Sequence, residues 1–250
     1  MALRTGNPTL KEATFAQFRG GVHSSAETMT LNGTVHRTFF LLCLVVFSAS
    51  TVWSMWETHP HLLYPALIGS SLLGFITAMV TVFKQQWSPY TASIYALLEG
   101  VVVGVISSIA ELNFPGIVMQ AVGLTFGTLF CLLAAYRSGL IKPTENFKLG
   151  VVAATGGIAL LYLVSMVSSL VFSAPIPMIH ESGPIGIGFS LFVVVIAALN
   201  LVLDFDFIEQ GVEYGAPKYM EWYAAFGLVV TLIWLYLEIL RLLMKIRSND

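Results

Sequence analysis

The sequence contains few charged residues. Only 10% of its 250 residues are Asp, Glu, Lys or Arg, whereas 56% are hydrophobic. A soluble domain carries roughly 25% charged residues, so this chain has too few to cover a surface that faces water. The mean hydropathy of +0.81 agrees with this deficit. We therefore expect much of the surface to face lipid, and the net charge of −2 excludes a general attraction to nucleic acid.

Several motifs are missing as well. No glycine-rich phosphate-binding loop with its lysine is present, which excludes ATP-driven transport of the usual kind. No lysine lies deep in a late apolar run, as a retinal protein would require. The serines in apolar runs have no histidine beside them for nucleophilic catalysis. We therefore expect neither an enzyme nor a bound cofactor.

The sequence also gives little indication of a metal site, a disulfide or a cleaved signal peptide. Cys43 and Cys131 both lie inside apolar runs, which predicts buried apolar side chains rather than a disulfide or zinc site. His59, His61 and His180 lie in loops without other metal ligands nearby. The first 36 residues are polar, which predicts no cleaved signal peptide.

Seven apolar stretches dominate the rest of the chain. Each approaches the 20 or so residues that a helix needs to cross about 30 Å of hydrocarbon. The stretches are Thr38–Met55, Leu62–Phe83, Tyr90–Ala110, Pro115–Tyr136, Leu149–Phe172, Pro184–Asp206 and Ala224–Met244. The sequence predicts an all-α bundle of seven transmembrane helices over residues 37–246, with a polar segment before it (1–36) and a short tail after it (247–250).

The residues between the apolar stretches predict where some helices begin or end. Pro115 and Pro184 are expected to open the fourth and sixth helices, because proline suits a first helical position. Glu209–Tyr223 is polar and aromatic, which predicts an interfacial loop or short surface helix.

Basic residues indicate the orientation. If every stretch crosses, nine of them lie on the side of the N-terminus and none in the opposite loops, so we expect a cytoplasmic N-terminus. The nine are Arg4, Lys11, Arg19, Arg37, Lys84, Arg137, Lys142, Lys148 and Lys218. The last bases, Arg241, Lys245 and Arg247, then lie on the other side. We favour a full crossing of the last helix over a segment that enters and returns.

Small residues recur at four-residue spacing in two helices, at Gly100 and Gly104 and at Gly123 and Gly127. Such pairs permit close helix approach. Packing within the bundle is the favoured interpretation for both pairs, and a dimer contact is the alternative.

Acidic residues are the main candidates for function. Glu99, Asp204, Asp206 and Glu238 lie in apolar stretches, and Glu111 ends the third. An ionised carboxylate costs on the order of 2.5–3.5 kcal/mol or more at the centre of a bilayer. Burial and a neighbouring like charge both favour its protonated form, so such a group can sense pH. The stretches carry no deep lysine or arginine that would neutralise these acids.

Each acid also has a purely structural interpretation. Arg241 is three residues after Glu238 and can form a salt bridge with it. Glu99 can accept a hydrogen bond from Ser or Tyr in the bundle. Asp204 and Asp206 are about 200° apart around a helix, so only one of them can face a central pathway, and either one can lie at a solvated helix end.

Four short runs resemble the transmembrane Bax inhibitor motif family, in its bacterial branch. They are Met29–Thr34, Tyr95–Gly100, Asn200–Asp206 and Leu235–Glu238. The resemblance implies seven helices with the seventh surrounded by the others. It also implies a pH-sensitive calcium leak that depends on an acid of the sixth helix, Asp204 or Asp206, and on Glu238 in the seventh.

The sequence and the resemblance together predict a cation leak of the bacterial cytoplasmic membrane. Asp204, Asp206, Glu238 and Glu99 are the predicted pH-sensing or pathway residues, and Asp204 and Glu238 are expected to share a proton or bind Ca²⁺. The expected partners are the lipid bilayer and Ca²⁺ or H⁺. One alternative is a non-conducting modulator of a membrane protease or stress response, and another is a proton-coupled transporter of small solutes.

Overall fold

The computed structural model describes residues 28–55, 60–172 and 183–249. Seven long helices account for most of them, and all seven are long and apolar enough to cross a membrane. They are α1 (Leu31–Met55), α2 (Leu63–Phe83), α3 (Ser88–Asn113), α4 (Ile117–Arg137), α5 (Glu145–Phe172), α6 (Pro184–Glu213) and α7 (Met220–Arg247). The predicted seven-helix, all-α membrane fold is confirmed. His59, His180 and most of the polar segment 1–36 lie outside the described residues.

Helix α7 is the centre of the bundle, as predicted. It packs against α1, α3, α4 and α6. Every residue from Tyr223 to Val229 is buried, and a helix that is apolar and buried all round lies inside its fold. The helix crosses from one end of the bundle to the other.

Two sets of contacts define those ends. At the first end, the N–H of Met29 donates to the carbonyl of Ala216 over 2.6 Å. At the second end, Arg247 Nη1 donates to the carbonyl of Pro115 over 2.9 Å. Helix α7 is one uninterrupted helix between these contacts, which favours a full crossing over a segment that enters and returns. Arg241, Lys245 and Arg247 therefore lie toward the second end.

The glycine pairs behave differently from each other. A Cβ on Gly100 would lie 2.6 Å from the carbonyl oxygen of Val45, and one on Gly104 would lie 2.9 Å from Ala49 Cα. These glycines let α3 approach α1 closely, as predicted. Added Cβ atoms on Gly123 and Gly127 would meet no described atom within 4 Å, so internal packing is wrong for that pair.

Helix α4 begins later than expected. Pro115 and Gly116 form a turn in which the N–H of Ile117 donates to the carbonyl of Phe114 over 3.1 Å. Gly116 has φ 82° and ψ 0°, which is the third position of a type II turn, and proline favours the second position of such turns. Pro115 is therefore a turn residue, whereas Pro184 does open α6.

The loop predicted at Glu209–Tyr223 is much shorter in the structure. Helix α6 continues to Glu213 and α7 begins at Met220, so only a short turn separates them. Gly215 has φ 63° there, a conformation that glycine adopts without strain. Gln210 extends α6 by donating to Asp206 one turn earlier, over 2.6 Å.

Both cysteines are free and exposed, so the expectation of buried side chains is wrong. Cys43 lies on α1 and Cys131 on α4. In a membrane protein an apolar residue can face either the lipid or the core. A position among apolar residues in the sequence therefore does not imply burial inside the protein.

Candidate functional site

One face of α5 carries polar residues at seven-residue intervals. Lys148, Thr155 and Tyr162 therefore lie in line along the helix. Each contacts a polar side chain of α6 or α7. We call the six residues of these three contacts the polar seam: Lys148, Thr155, Tyr162, Asn200, Asp206 and Glu238.

The first-end part of the seam is an ion pair. Lys148 Nζ lies 2.6 Å from Asp206 Oδ2, and the side chains of the two residues are only 5% and 15% exposed. Glu145 lies 3.9 Å from the same ammonium group. Glu209, one turn after Asp206, accepts a hydrogen bond from the Tyr136 hydroxyl. Lys148 therefore lies between two carboxylates, those of Asp206 and Glu145.

The middle of the seam is neutral. Asn200 is 2% exposed, and its side-chain amide donates to Thr155 Oγ1 and to the carbonyl of Ile196, each over 2.8 Å. A buried amide without such bonds costs about 1–3 kcal/mol. The bond to Thr155 therefore ties α5 to α6 in the apolar interior.

At the second end of the seam, Arg241 joins Glu238 and Tyr162 in a three-residue cluster. Arg241 Nη1 lies 2.8 Å from Glu238 Oε1 and donates over 2.8 Å to the Tyr162 hydroxyl. Tyr162 in turn donates to Glu238 over 3.1 Å. The salt bridge that the sequence offered as an alternative for Glu238 is therefore present. One turn further along α7, Lys245 is buried and donates to Ser190 Oγ over 2.9 Å and to the carbonyl of Gly186 over 3.1 Å.

The expectation of interior acids without bases is thus wrong for Asp206 and Glu238. Lys148 and Arg241 enter the bundle from positions near helix ends, because long basic side chains reach well beyond their own backbone. The two acids are held in ion pairs in this structure, at different ends of one polar line.

Asp204 is fully buried but lies away from Glu238 along the bundle axis. Lys245 contacts Gly186 and Ser190, and this antiparallel register places Asp204 opposite Val229. Glu238 is then roughly nine residues, or about 14 Å, further along the axis. A shared Ca²⁺ requires oxygens at about 2.3–2.6 Å, and this register does not bring Asp204 and Glu238 together, so their joint Ca²⁺ or proton site stays a prediction. No group of three or more metal-type side chains occurs among the described residues either.

Comparison with known families agrees with this architecture. The family described as Bax inhibitor 1 like matches residues 7–248, almost the whole chain. The chain belongs to this family. No curated protein and no solved structure gives a significant match. The resemblance inferred from four short runs is therefore confirmed for this Bax inhibitor 1 like protein.

The structure explains one of those runs, Met29–Thr34, through a buried acid that the sequence analysis missed. Glu221 at the start of α7 is fully buried. It accepts hydrogen bonds from the Thr30 N–H over 3.0 Å and the Thr30 hydroxyl over 2.8 Å. Lys218 Nζ lies 3.0 Å away and Arg37 Nε 4.0 Å away. The three-residue spacing of Lys218 and Glu221 was the available signal, but it lay in a stretch predicted as a loop.

Glu99 lies outside the polar seam, on α3 where it packs against α2. The Tyr95 hydroxyl donates to Glu99 Oε1 over 3.2 Å, which is the tyrosine hydrogen bond considered from the sequence. Its other oxygen lies 3.9 Å from the position that a Cβ on Gly74 would take. The structure gives this acid a local partner and does not connect it with Glu238 or Asp206.

Glu111 has a structural role at the turn between α3 and α4. One carboxylate oxygen accepts from the N–H of Gly116 over 2.6 Å and the other from the N–H of Val118 over 3.1 Å. The first N–H groups of a helix lack partners within the helix. Glu111 therefore caps α4 from the end of α3.

Proposed function

We propose that this Bax inhibitor 1 like protein is a pH-sensitive cation leak, and that ions cross the membrane along the polar seam. The observation that supports this proposal is the line of polar contacts itself. From Lys148 to Tyr162 the seam follows about 14 residues of α5, or about 21 Å. This covers about two thirds of a hydrocarbon core of roughly 30 Å. Polar groups at that depth usually mark an ion or proton route.

The ion pairs describe a closed state. The Lys148 ammonium group occupies the place beside Asp206 where a cation would bind, and Arg241 does the same beside Glu238. Each base therefore blocks the seam by its charge as well as by its volume. A permeating cation has to replace both bases.

Protonation supplies the way to release them. A proton on Asp206 or Glu238 removes the negative charge that holds the base. The Lys148 side chain is 5% exposed, so the loss of its closest acid costs several kcal/mol. The Arg241 side chain is already 40% exposed, so it leaves Glu238 at a smaller cost. Long basic side chains relieve that cost by extending toward the headgroups. We therefore expect the leak to increase as pH falls.

Ca²⁺ is the cation we favour. Hard divalent cations prefer carboxylate oxygens, and Glu145, beside Lys148, keeps a carboxyl group at the first end of the seam when Asp206 carries a proton. Asp204 remains a predicted pathway residue, now as a group separate from Glu238.

Ca²⁺ flux into proteoliposomes across a pH series tests the proposal. Asp206→Asn and Glu238→Gln should each raise the flux at neutral pH and flatten its pH dependence, because each mimics the protonated acid. Glu99→Gln is the control, since this acid lies outside the seam, and Asp204→Asn in the same series decides the role of Asp204. Absence of flux at every pH would reject the leak and favour the alternative of a non-conducting protease modulator.

A further inference from the structure

A cleft of about 520 Å³ opens between α1 and α4, and α3 and α7 form its floor. Val46 and Trp53 line it on α1, and Met119 and Phe126 on α4. Val46 is 60% exposed and Met119 76% exposed, so the rim faces outward from the bundle. In a membrane-spanning bundle this rim faces lipid.

The hydroxyl groups in the cleft are already used. Ser107 and Tyr236 bond to each other over 2.6 Å on the floor. Ser50, Ser54 and Thr125 each donate to a carbonyl of their own helix. The remaining lining side chains are apolar apart from the indole N–H of Trp53. The surface therefore offers an occupant mainly apolar contact, and apolar spaces of this kind stay dry and accept apolar ligands.

A positive charge lies beyond one end of the cleft. Val118 lines the cleft, and Pro115, three residues before it, accepts the hydrogen bond from Arg247 Nη1. The guanidinium group is therefore at the second end of the bundle, where α4 begins. Arginine pairs well with phosphate oxygens because its planar group presents several N–H donors. An apolar cleft that leads to an arginine matches the two halves of a phospholipid.

We propose that the cleft binds one acyl chain of a membrane phospholipid, with the lipid phosphate at Arg247. The chain fills the space between α1 and α4 and covers the Ser107–Tyr236 pair on the floor. This site is separate from the polar seam, and the proposal does not depend on conduction.

Native mass spectrometry of the full chain in mild detergent, titrated with phosphatidylglycerol, tests this site. The wild type should retain one phospholipid. Val122→Trp places a large side chain in the cleft and should weaken binding by roughly tenfold or more. Leu124→Trp is the matched control, because Leu124 is exposed on the same helix outside the cleft, and it should bind as the wild type does. Val46→Trp fills the cleft from α1 and replaces Val122→Trp if that variant does not fold.

Diacylglycerol with the same chains tests the headgroup contact. It should bind the wild type more weakly than phosphatidylglycerol does, and Arg247→Gln should abolish this difference. Equal lipid retention by Val122→Trp, Leu124→Trp and the wild type would overturn the site, as would a wild type that retains no lipid. An unchanged preference in Arg247→Gln would overturn the phosphate contact.

Discussion

Gly33 on α1 and Glu221 on α7 fit together so closely that a side chain at position 33 would displace the Glu221 carboxylate. A Cβ on Gly33 would lie 1.9 Å from Glu221 Oε1. The same carboxylate is held by Thr30, three residues before Gly33, and by Lys218. The contact therefore fastens the start of α1 to the start of the central helix.

Gly33→Ala should destabilise the protein for this reason. The added methyl group must displace a buried carboxylate from its hydrogen bonds, and overpacking of this kind costs about 1–3 kcal/mol. Thermal unfolding in detergent measures the effect. Gly123→Ala is the matched control, because its Cβ would meet no described atom within 4 Å. Equal stability of the two variants would contradict the close contact.

The Lys148–Asp206 pair should show strong coupling. Asp206→Asn alone leaves a buried ammonium group without its closest acid, and Lys148→Met alone leaves the acid without its base. The double variant should therefore lose less stability than the two losses added together, by about 0.5–3 kcal/mol. A double-mutant cycle on unfolding free energies measures this difference.

Glu145 supplies the control for that cycle. It lies 3.9 Å from Lys148, and its side chain is 56% exposed. Exposed pairs contribute about 0–1 kcal/mol, so the Lys148–Glu145 cycle should give a much smaller coupling. Equal coupling in the two cycles would mean that Asp206 is not the main partner of Lys148.

The fold was largely predictable from the sequence because membrane-spanning helices are recognised by the length and apolarity of their segments. Pro184 marked the start of α6 correctly, since proline is tolerated at a first helical position. Pro115 did not mark a helix start, because the glycine after it favoured a type II turn. The residue after each proline, Gly116 or Ile185, was therefore the local signal that distinguished the two outcomes.

The site was predictable only where its contacts are local. The Glu238–Arg241 pair follows from a three-residue spacing on one helix. Lys148 and Asp206 lie on different helices, and nothing in either segment identifies the other as its partner. Tyr162 completes the Glu238 cluster from α5, and its role also depends on helix packing. Glu221 was missed because its partners Thr30 and Gly33 are far away in the chain.

Removal of the Glu111 cap should weaken the α3–α4 turn. Glu111→Ala deletes both acceptors for the N–H groups of Gly116 and Val118, and loss of a helix cap costs about 0.5–2 kcal/mol. Glu111→Gln keeps one acceptor oxygen without the charge, so it should retain part of the stability. Thermal unfolding of both variants measures the order. Equal loss in the two variants would indicate that the charge, rather than the hydrogen bonds, provides the stabilisation.

The path of α7 predicts on which side of the membrane each end of the bundle lies. Helix α4 begins beside Arg247 at the second end and runs to Arg137 at the first end. Exposed Ser138 and Ser248 therefore lie at opposite ends of the bundle. With Cys43 and Cys131 replaced by alanine, Ser248→Cys should react with an impermeant maleimide added to intact cells. Ser138→Cys should react only after permeabilisation, because the bias of basic residues places its side in the cytoplasm.

The four combinations of labelling separate orientation from crossing. Labelling of Ser138→Cys alone would keep α7 as a full crossing and reverse the orientation of the whole bundle. Labelling of both variants in intact cells, or of neither, would place the two residues on one side and contradict the crossing. The expected pattern requires Arg241, Lys245 and Arg247 to lie on the external side against the usual preference for cytoplasmic bases. Arg241 and Lys245 are engaged with Glu238 and Ser190 inside the bundle, so packing of the central helix determines their position.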